Sequence, residues 1–324
     1  FLRIGGMRLF HTESSDWSDK SIPRIQSLAR LLVLTYLTLT VACITSYWLV
    51  GMTFFDAVNH AMATVSTGGS MGRFDAPILW VSILFMILSA LPFTLLIGFA
   101  RRPSLALLNN QQVLGFFGII VAVTLLLTVD LINLNLFTPY EAVTKAAFNL
   151  VSVITTTGFA ADDYTQWGTF GIALFFVVTF IGGCSGSTSG GMKVFRFQLS
   201  YLFLRTQIRK LVHPNGIFVT QYNGKPVQDD IILSAIAFSF LFFLTLAIVT
   251  LLLAMMGLDL LTSLTAAATA LTNVGPGLGE IIGPAGNFAS LPDAAKWLLS
   301  LAMLMGRLEL LTLMVLFTPM FWRG

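Results

Sequence analysis

Thr155-Thr156-Thr157-Gly158-Phe159 is a short polar strip between an apolar segment, Ala146 to Ile154, and a long hydrophobic run that begins near Trp167. Two other strips repeat the arrangement. Val65-Ser66-Thr67-Gly68-Gly69 follows the apolar Ala57 to Thr64, and Thr272-Asn273-Val274-Gly275-Pro276 follows Leu264 to Leu271. Aligned on Gly68, Gly158 and Gly275, each shows hydroxyl or amide residues before a glycine, between two membrane-length hydrophobic segments. The chain reads as one unit written three times.

Of the 324 residues, 56% are hydrophobic and 10% charged, with a mean hydropathy of +0.84, whereas soluble domains carry about 25% charged residues. The chain is therefore an integral protein of the lipid bilayer. A helix needs roughly 20 apolar residues to cross the hydrocarbon core. Six runs suffice: 27–50, 76–100 with a kink expected at Pro92, 113–136, 167–205 (long and interrupted), 230–256 and 290–321. The apolar pieces that end at each strip are too short to span and read as re-entrant half-helices.

Irregular backbone at membrane depth is tolerated only where protein buries it or where it lines a watery path. Glycine permits positive φ, so carbonyls can be aimed where other residues resist. Rings of such carbonyls replace the water shell of a small cation, and each short helix would point its partially negative C-terminus at the ion. The strips thus read as ion-binding filter segments: Val65, Ser66, Thr67 and Gly68; Thr155, Thr156, Thr157 and Gly158; Thr272, Asn273, Val274 and Gly275. Ordinary turns between helices are the plainer alternative, and threefold recurrence argues against them. Asn59 and Asn149 each lie nine residues before their glycine and read as structural anchors, although the third strip has Ala266 there.

The descending run breaks at Gly182-Gly183-Cys184-Ser185-Gly186-Ser187-Thr188-Ser189-Gly190-Gly191, ten residues of which five are glycine, a composition no helix favours. It reads either as a passive kink or as a loop under the filter that obstructs ions. A phosphate-binding loop is excluded, because that motif needs fixed Gly, Lys and Ser/Thr spacing after a strand. Arg307 falls near mid-membrane, where an arginine costs about 2.5–3.5 kcal/mol and must face protein or water. It could pair with a carboxylate such as Glu309, but residues two apart do not share a helix face. The sharper reading puts its charge beside the ion path as a barrier below the filter.

Charge sets the orientation. Placing 1–30, 101–112, 193–229 and the C-terminus inside assigns 14 of the 18 basic residues there, as the positive-inside rule requires. Outside lie Asp56, Asp75, Asp130, Glu141, Asp162, Asp163, Asp259, Glu280 and Asp293, an excess that would gather cations at a pore mouth. Only two cysteines occur, Cys43 and Cys184, both in membrane segments, and the three histidines lack metal-ligand spacing. Neither a disulfide framework nor a transition-metal site is expected. An enzyme would show convergent acid/base or metal groups, whereas the intramembrane charges are nearly limited to Arg307 and Glu309.

Residues 1–26 read as a cytoplasmic connection in which Gly5-Gly6-Met7-Arg8-Leu9-Phe10 echoes Gly190-Gly191-Met192-Lys193-Val194-Phe195. Gly191 follows Gly158 by 33 residues, so the same spacing would put the early copy's strip before residue 1 and implies an upstream repeat. The expected fold is an all-α polytopic membrane protein of helix–pore-helix–helix units. Their bounds are 1–26 (the end of an upstream repeat and a linker), 27–112 (second repeat), 113–229 (third, with the broken inner helix and a cytoplasmic hairpin at Asn223-Gly224) and 230–324 (fourth).

The strips, the break at 182–191 and the run Gly306-Arg307-Leu308-Glu309-Leu310 together resemble the Trk/Ktr/HKT superfamily of potassium transporters, over essentially the whole chain. That resemblance implies four non-identical repeats around a pseudo-fourfold pore. Gly68, Gly158 and Gly275 would be the filter glycines of repeats two to four, and the 182–191 loop and Arg307 the gate. It implies potassium uptake across a bacterial inner membrane, K+ as the transported ion with no covalently bound cofactor, and a sodium-permeable or weakly selective channel as the alternative. It also implies a homodimer and a cytosolic nucleotide-binding regulatory subunit (TrkA-like), and it calls for no nucleic acid.

Overall fold

The computed structural model describes residues 25–69, 75–101, 109–216, 218–308, 310 and 322. Expectations that fall on residues 1–24, Arg73, Arg102, Glu309, Arg323 and most of 308–321 lie outside them. Eleven α-helices appear among the described residues: α1 Ile25–Leu49, α2 Phe54–Ser66, α3 Ala76–Ala90, α4 Phe93–Arg101, α5 Gln111–Asn133, α6 Pro139–Ile154, α7 Gly168–Thr179, α8 Val194–Val212, α9 Asp229–Met255, α10 Leu260–Thr272 and α11 Asp293–Arg307. Helices α1, α5 and α9 are long and apolar enough to cross a membrane. Each is followed by a short helix, of 13, 16 and 13 residues respectively. At 1.5 Å per residue these reach about 20–24 Å, short of a span.

The short helices start on built caps. The Thr53 and Thr138 hydroxyls and the Asp259 carboxylate accept the amides of Asp56, Glu141 and Thr262. In return the Glu141 carboxylate accepts the Thr138 amide, closing a capping box. Some of the acids expected to give the outer side its negative charge are thus helix caps as well as surface charge.

Each short helix packs between its neighbours. Around α2 the core is Tyr47, Ala57, Ala61, Val65, Ile78 and Phe85, with the Tyr47 hydroxyl bonded to those of Thr64 and Ser82 at 2.9 and 2.8 Å. Every residue of α6 from Ala146 to Ile154 is buried, as for a helix surrounded on all sides. The alanine- and threonine-rich stretch Ala266–Thr272 of α10 is buried likewise. Large apolar side chains on the outer faces, such as Leu37, Leu125 and Phe240, are exposed where lipid would cover them.

Two expected spans are not single helices. The 76–100 run bends by 102° between α3 and α4, because Pro92 forces Leu91 into the extended region (ψ 155°). That is a corner rather than a kink. The 167–205 run is α7, of 12 residues, then an irregular loop, then α8. Beyond α8, the strands β3 Gln221–Tyr222 and β4 Lys225–Pro226 form the expected hairpin. Its turn residues Asn223 and Gly224 have φ of 49° and 74°, as a type I′ turn requires.

Candidate functional site

The three short helices end identically. Thr67, Thr156 and Asn273 take φ of 55°, 58° and 57°, the left-handed stop that closes many helices. Their amides bond back to the carbonyls of Thr64, Val153 and Ala270, three residues earlier. The next amides, of Gly68, Thr157 and Val274, reach back five, to Ala63, Ser152 and Thr269. Then comes a glycine at positive φ: Gly69 at 74°, Gly158 at 80°, Gly275 at 113°.

The strips therefore superpose with Gly69, not Gly68, opposite Gly158 and Gly275. This corrects the sequence alignment by one position in the first strip. Val65 is a buried last-turn residue of α2, equivalent to Ile154 and Leu271, and the strip proper is Ser66-Thr67-Gly68-Gly69. Two adjacent glycines made the alignment ambiguous, and only the hydrogen bonds separate them. The pairing of Asn59 with Asn149 also dissolves, since His60 now stands opposite Asn149. Asn149 accepts the Ala161 amide at 3.1 Å and fastens the chain after its strip, while Asn59 bonds Phe55 on its own helix.

The strips adjoin one another. A Cβ on Gly69 would stand 3.0 Å from the Thr157 carbonyl oxygen, and one on Gly158 would collide with the Val274 carbonyl oxygen. Hydroxyls behind the strips are spoken for by the scaffold. Ser152 donates to the Phe159 carbonyl at 2.6 Å, Thr269 accepts the Gly275 amide at 2.9 Å, and Thr272 donates to Ala268. Lys145 and Asp162 pair at 2.8 Å beside the second strip. What the strips have left to offer is backbone carbonyl, the right group for a desolvated monovalent cation.

The glycine-rich loop crosses all three strips. It leaves α7 through β1 Ile181–Gly182 and returns through β2 Met192–Lys193, the two paired in parallel as a neck. The Thr67 hydroxyl donates to the Thr188 carbonyl at 3.1 Å, and the Gly190 amide donates to the Thr156 hydroxyl at 2.6 Å. Gly190 also lies so close to the third strip that a Cβ would stand 2.6 Å from the Thr272 carbonyl oxygen. Lys193 bonds the carbonyl and hydroxyl of Ser189. Most of the loop is buried, so its backbone must find partners.

The Pro92 corner supplies them. Breaking the helix leaves the Ser89 and Ala90 carbonyls without intrahelical donors, and the loop amides of Thr188 and Cys184 take them at 3.2 and 2.9 Å. The Phe93 amide in turn donates to the Gly186 carbonyl at 3.0 Å. Sequence reading found Pro92 and the loop separately. The signal joining them was that a proline-freed helix end inside a membrane needs partners.

Arg307 ends α11, about 21 Å along its axis from Asp293. Its Nη1 donates to the Thr188 carbonyl at 2.9 Å, and a cation at a helix C-terminus is favoured by the dipole. Gly306 lets α11 close onto α10, because a Cβ there would overlap the Leu271 carbonyl. Together the loop, Lys193, Arg196 and Arg307 line a cavity of about 200 Å³. The Arg196 guanidinium lies over the Phe238 ring at 3.8 Å. Among the described residues, no group of three or more His, Cys, Asp or Glu side chains is placed to hold a metal ion. The expected filter and loop residues and Arg307 therefore converge on one place.

The family model for the cation transport protein TrkH matches residues 2–323. The chain belongs to the TrkH family of cation transport proteins. It is thus a multi-pass membrane transport protein of repeated pore-helix units and not an enzyme. The Trk system potassium uptake protein TrkI of Halomonas elongata is 54% identical over all of this chain and 67% of its own length. TrkH of Vibrio parahaemolyticus is 37% identical, with 100% and 69% covered. A crystal structure of the potassium transporter TrkH from Vibrio parahaemolyticus matches with a TM-score of 0.87 at 36% identity, over 94% of this chain and 67% of that one. The chain spans about two thirds of the length of these relatives.

Proposed function

We propose that this TrkH-family chain is the pore-forming part of a potassium uptake system in a bacterial inner membrane. Ions would lose water among the carbonyls of Ser66–Gly69, Thr155–Gly158 and Thr272–Gly275, then meet a gate made of the 182–191 loop and Arg307. The observation that carries the reading is the common hydrogen-bonded register of three strips, with the buried loop bonded directly to two of them and an arginine bonded to that loop. The relatives are potassium uptake proteins and a potassium transporter by name. The units 27–112, 113–229 and 230–324 are read as repeats, and residues 1–26 as the end of another.

Arg307, Lys193 and Arg196 beside the passage would raise the energy of a cation there. Moving the loop and Arg307 would lower it. We read the partners as a second copy of the chain and a cytosolic nucleotide-binding subunit, the latter docking on the basic end of α8 at Arg205, Arg209 and Lys210. Neutralising these three without weakening the complex would count against that surface.

Growth rescue is the test of the activity. The complete protein expressed in cells lacking their own potassium uptake should restore growth at low potassium. Rescue that fails while the protein is present and folded in the membrane would overturn the reading. Rescue accompanied by sodium toxicity would favour the weakly selective alternative.

A further inference from the structure

The left-handed cap residues have side chains with an unusual job. A threonine at the base of a carbonyl filter is naturally read as a further ion ligand through its hydroxyl. Here the Thr156 hydroxyl accepts the Gly190 amide at 2.6 Å, and the Thr67 hydroxyl divides its proton between the Thr188 carbonyl at 3.1 Å and the Ser66 carbonyl at 2.7 Å. The third cap, Asn273, donates to the Met303 carbonyl at 3.1 Å, one turn before Arg307 on α11. All three caps grip the machinery beneath the strips.

We propose that Thr67 and Thr156 are positioning residues that latch the glycine-rich loop against the pore strips, so that releasing the loop and relaxing the strip ends are one event. The inference rests on the gate reading above and adds the fastening that holds the gate. Its physical basis is burial. Thr156 and Gly190 are both buried, and an amide left unsatisfied there costs about 1–3 kcal/mol. The left-handed backbone of Thr156 is what turns the hydroxyl toward the loop, so a change in strip geometry would loosen the bond. The Thr188 carbonyl receives both Thr67 and Arg307, which joins the caps to the arginine through a single loop residue.

The test uses two readouts on the complete protein, with every cysteine except Cys184 replaced by serine. Cys184 lies in the loop and is fully buried, so its labelling by a membrane-impermeant maleimide reports loop release whether or not ions flow. In Thr156→Val, which keeps shape and loses the acceptor, we expect several-fold faster labelling. Basal potassium flux in proteoliposomes should rise with it while the potassium-to-sodium ratio is unchanged. Thr156→Ser should restore both, and Thr67→Val should act in the same direction. Unchanged labelling in a monodisperse Thr156→Val protein overturns the latch, as does lowered flux with altered selectivity, the mark of an ion ligand. Faster labelling with no flux in any protein, wild type included, would keep the latch and remove the transport reading instead.

Discussion

Arg307 and Thr188 stand 119 positions apart in sequence and are joined by a 2.9 Å hydrogen bond from guanidinium to carbonyl. That bond ties the last described helix to the loop of the preceding unit. A charge-assisted bond of this kind is worth about 1.5–3 kcal/mol when protected, and Arg307 is exposed, so the lower end applies. Losing about 1.4 kcal/mol moves an equilibrium about tenfold. Arg307→Ala should therefore raise basal cation flux by roughly tenfold, with Arg307→Lys between it and wild type. Equal flux in all three would separate the arginine from gating.

The register correction makes a prediction that the uncorrected alignment would reverse. Gly69 sits at positive φ with the Thr157 carbonyl oxygen 3.0 Å from a would-be Cβ. Gly68 has an ordinary φ, and the nearest atom to its would-be Cβ is the Ser66 hydroxyl at 3.1 Å. A left-handed residue with a Cβ costs roughly 1–2 kcal/mol before any clash. Gly69→Ala should degrade ion discrimination and lower thermal stability, and Gly68→Ala should do markedly less. Selectivity ratios from flux and melting by tryptophan fluorescence would check both.

Pro92 is predicted to matter for the loop more than for the helix. In Pro92→Ala the corner between α3 and α4 could close into continuous helix, returning intrahelical donors to the Ser89 and Ala90 carbonyls. The Cys184 and Thr188 amides would then lose their acceptors. Faster maleimide labelling of Cys184 with little change in helix content by circular dichroism is the expected outcome.

Acid should weaken the start of α10. The Thr262 hydroxyl, and then its amide, hold the Asp259 carboxyl below the usual carboxylate range. A depressed folded-state pKa contributes stability that is present above the unfolded value and lost as pH falls through the folded one. Asp259→Asn removes the titration and keeps an N-cap. The difference in melting temperature between wild type and this variant should therefore shrink from pH 6 toward pH 3.

Much of this was legible in the sequence because the membrane restricts the options. Apolar runs gave the three long helices α1, α5 and α9, Asn223-Gly224 gave the hairpin, and Gly182–Gly191 gave the loop. What escaped depended on partners far away in sequence. Gly68 and Gly69 look alike until the amides of residues 67 and 68 are seen bonding back to Thr64 and Ala63. The Pro92 corner looks like a kink until the loop occupies its carbonyls. Thr67 and Thr156 look like filter ligands until their hydroxyls are traced to Thr188 and Gly190.

Cation flux into proteoliposomes containing the complete protein tests the central claim most directly, comparing potassium, rubidium and sodium with Gly158→Ser alongside. Gly158 sits at φ 80° against the Val274 carbonyl, so a side chain there must displace the third strip. Potassium and rubidium flux well above sodium, with discrimination eroded by the substitution, is the result the account predicts. Equal flux of all three ions in the unmodified protein, or discrimination untouched by the serine, would contradict it.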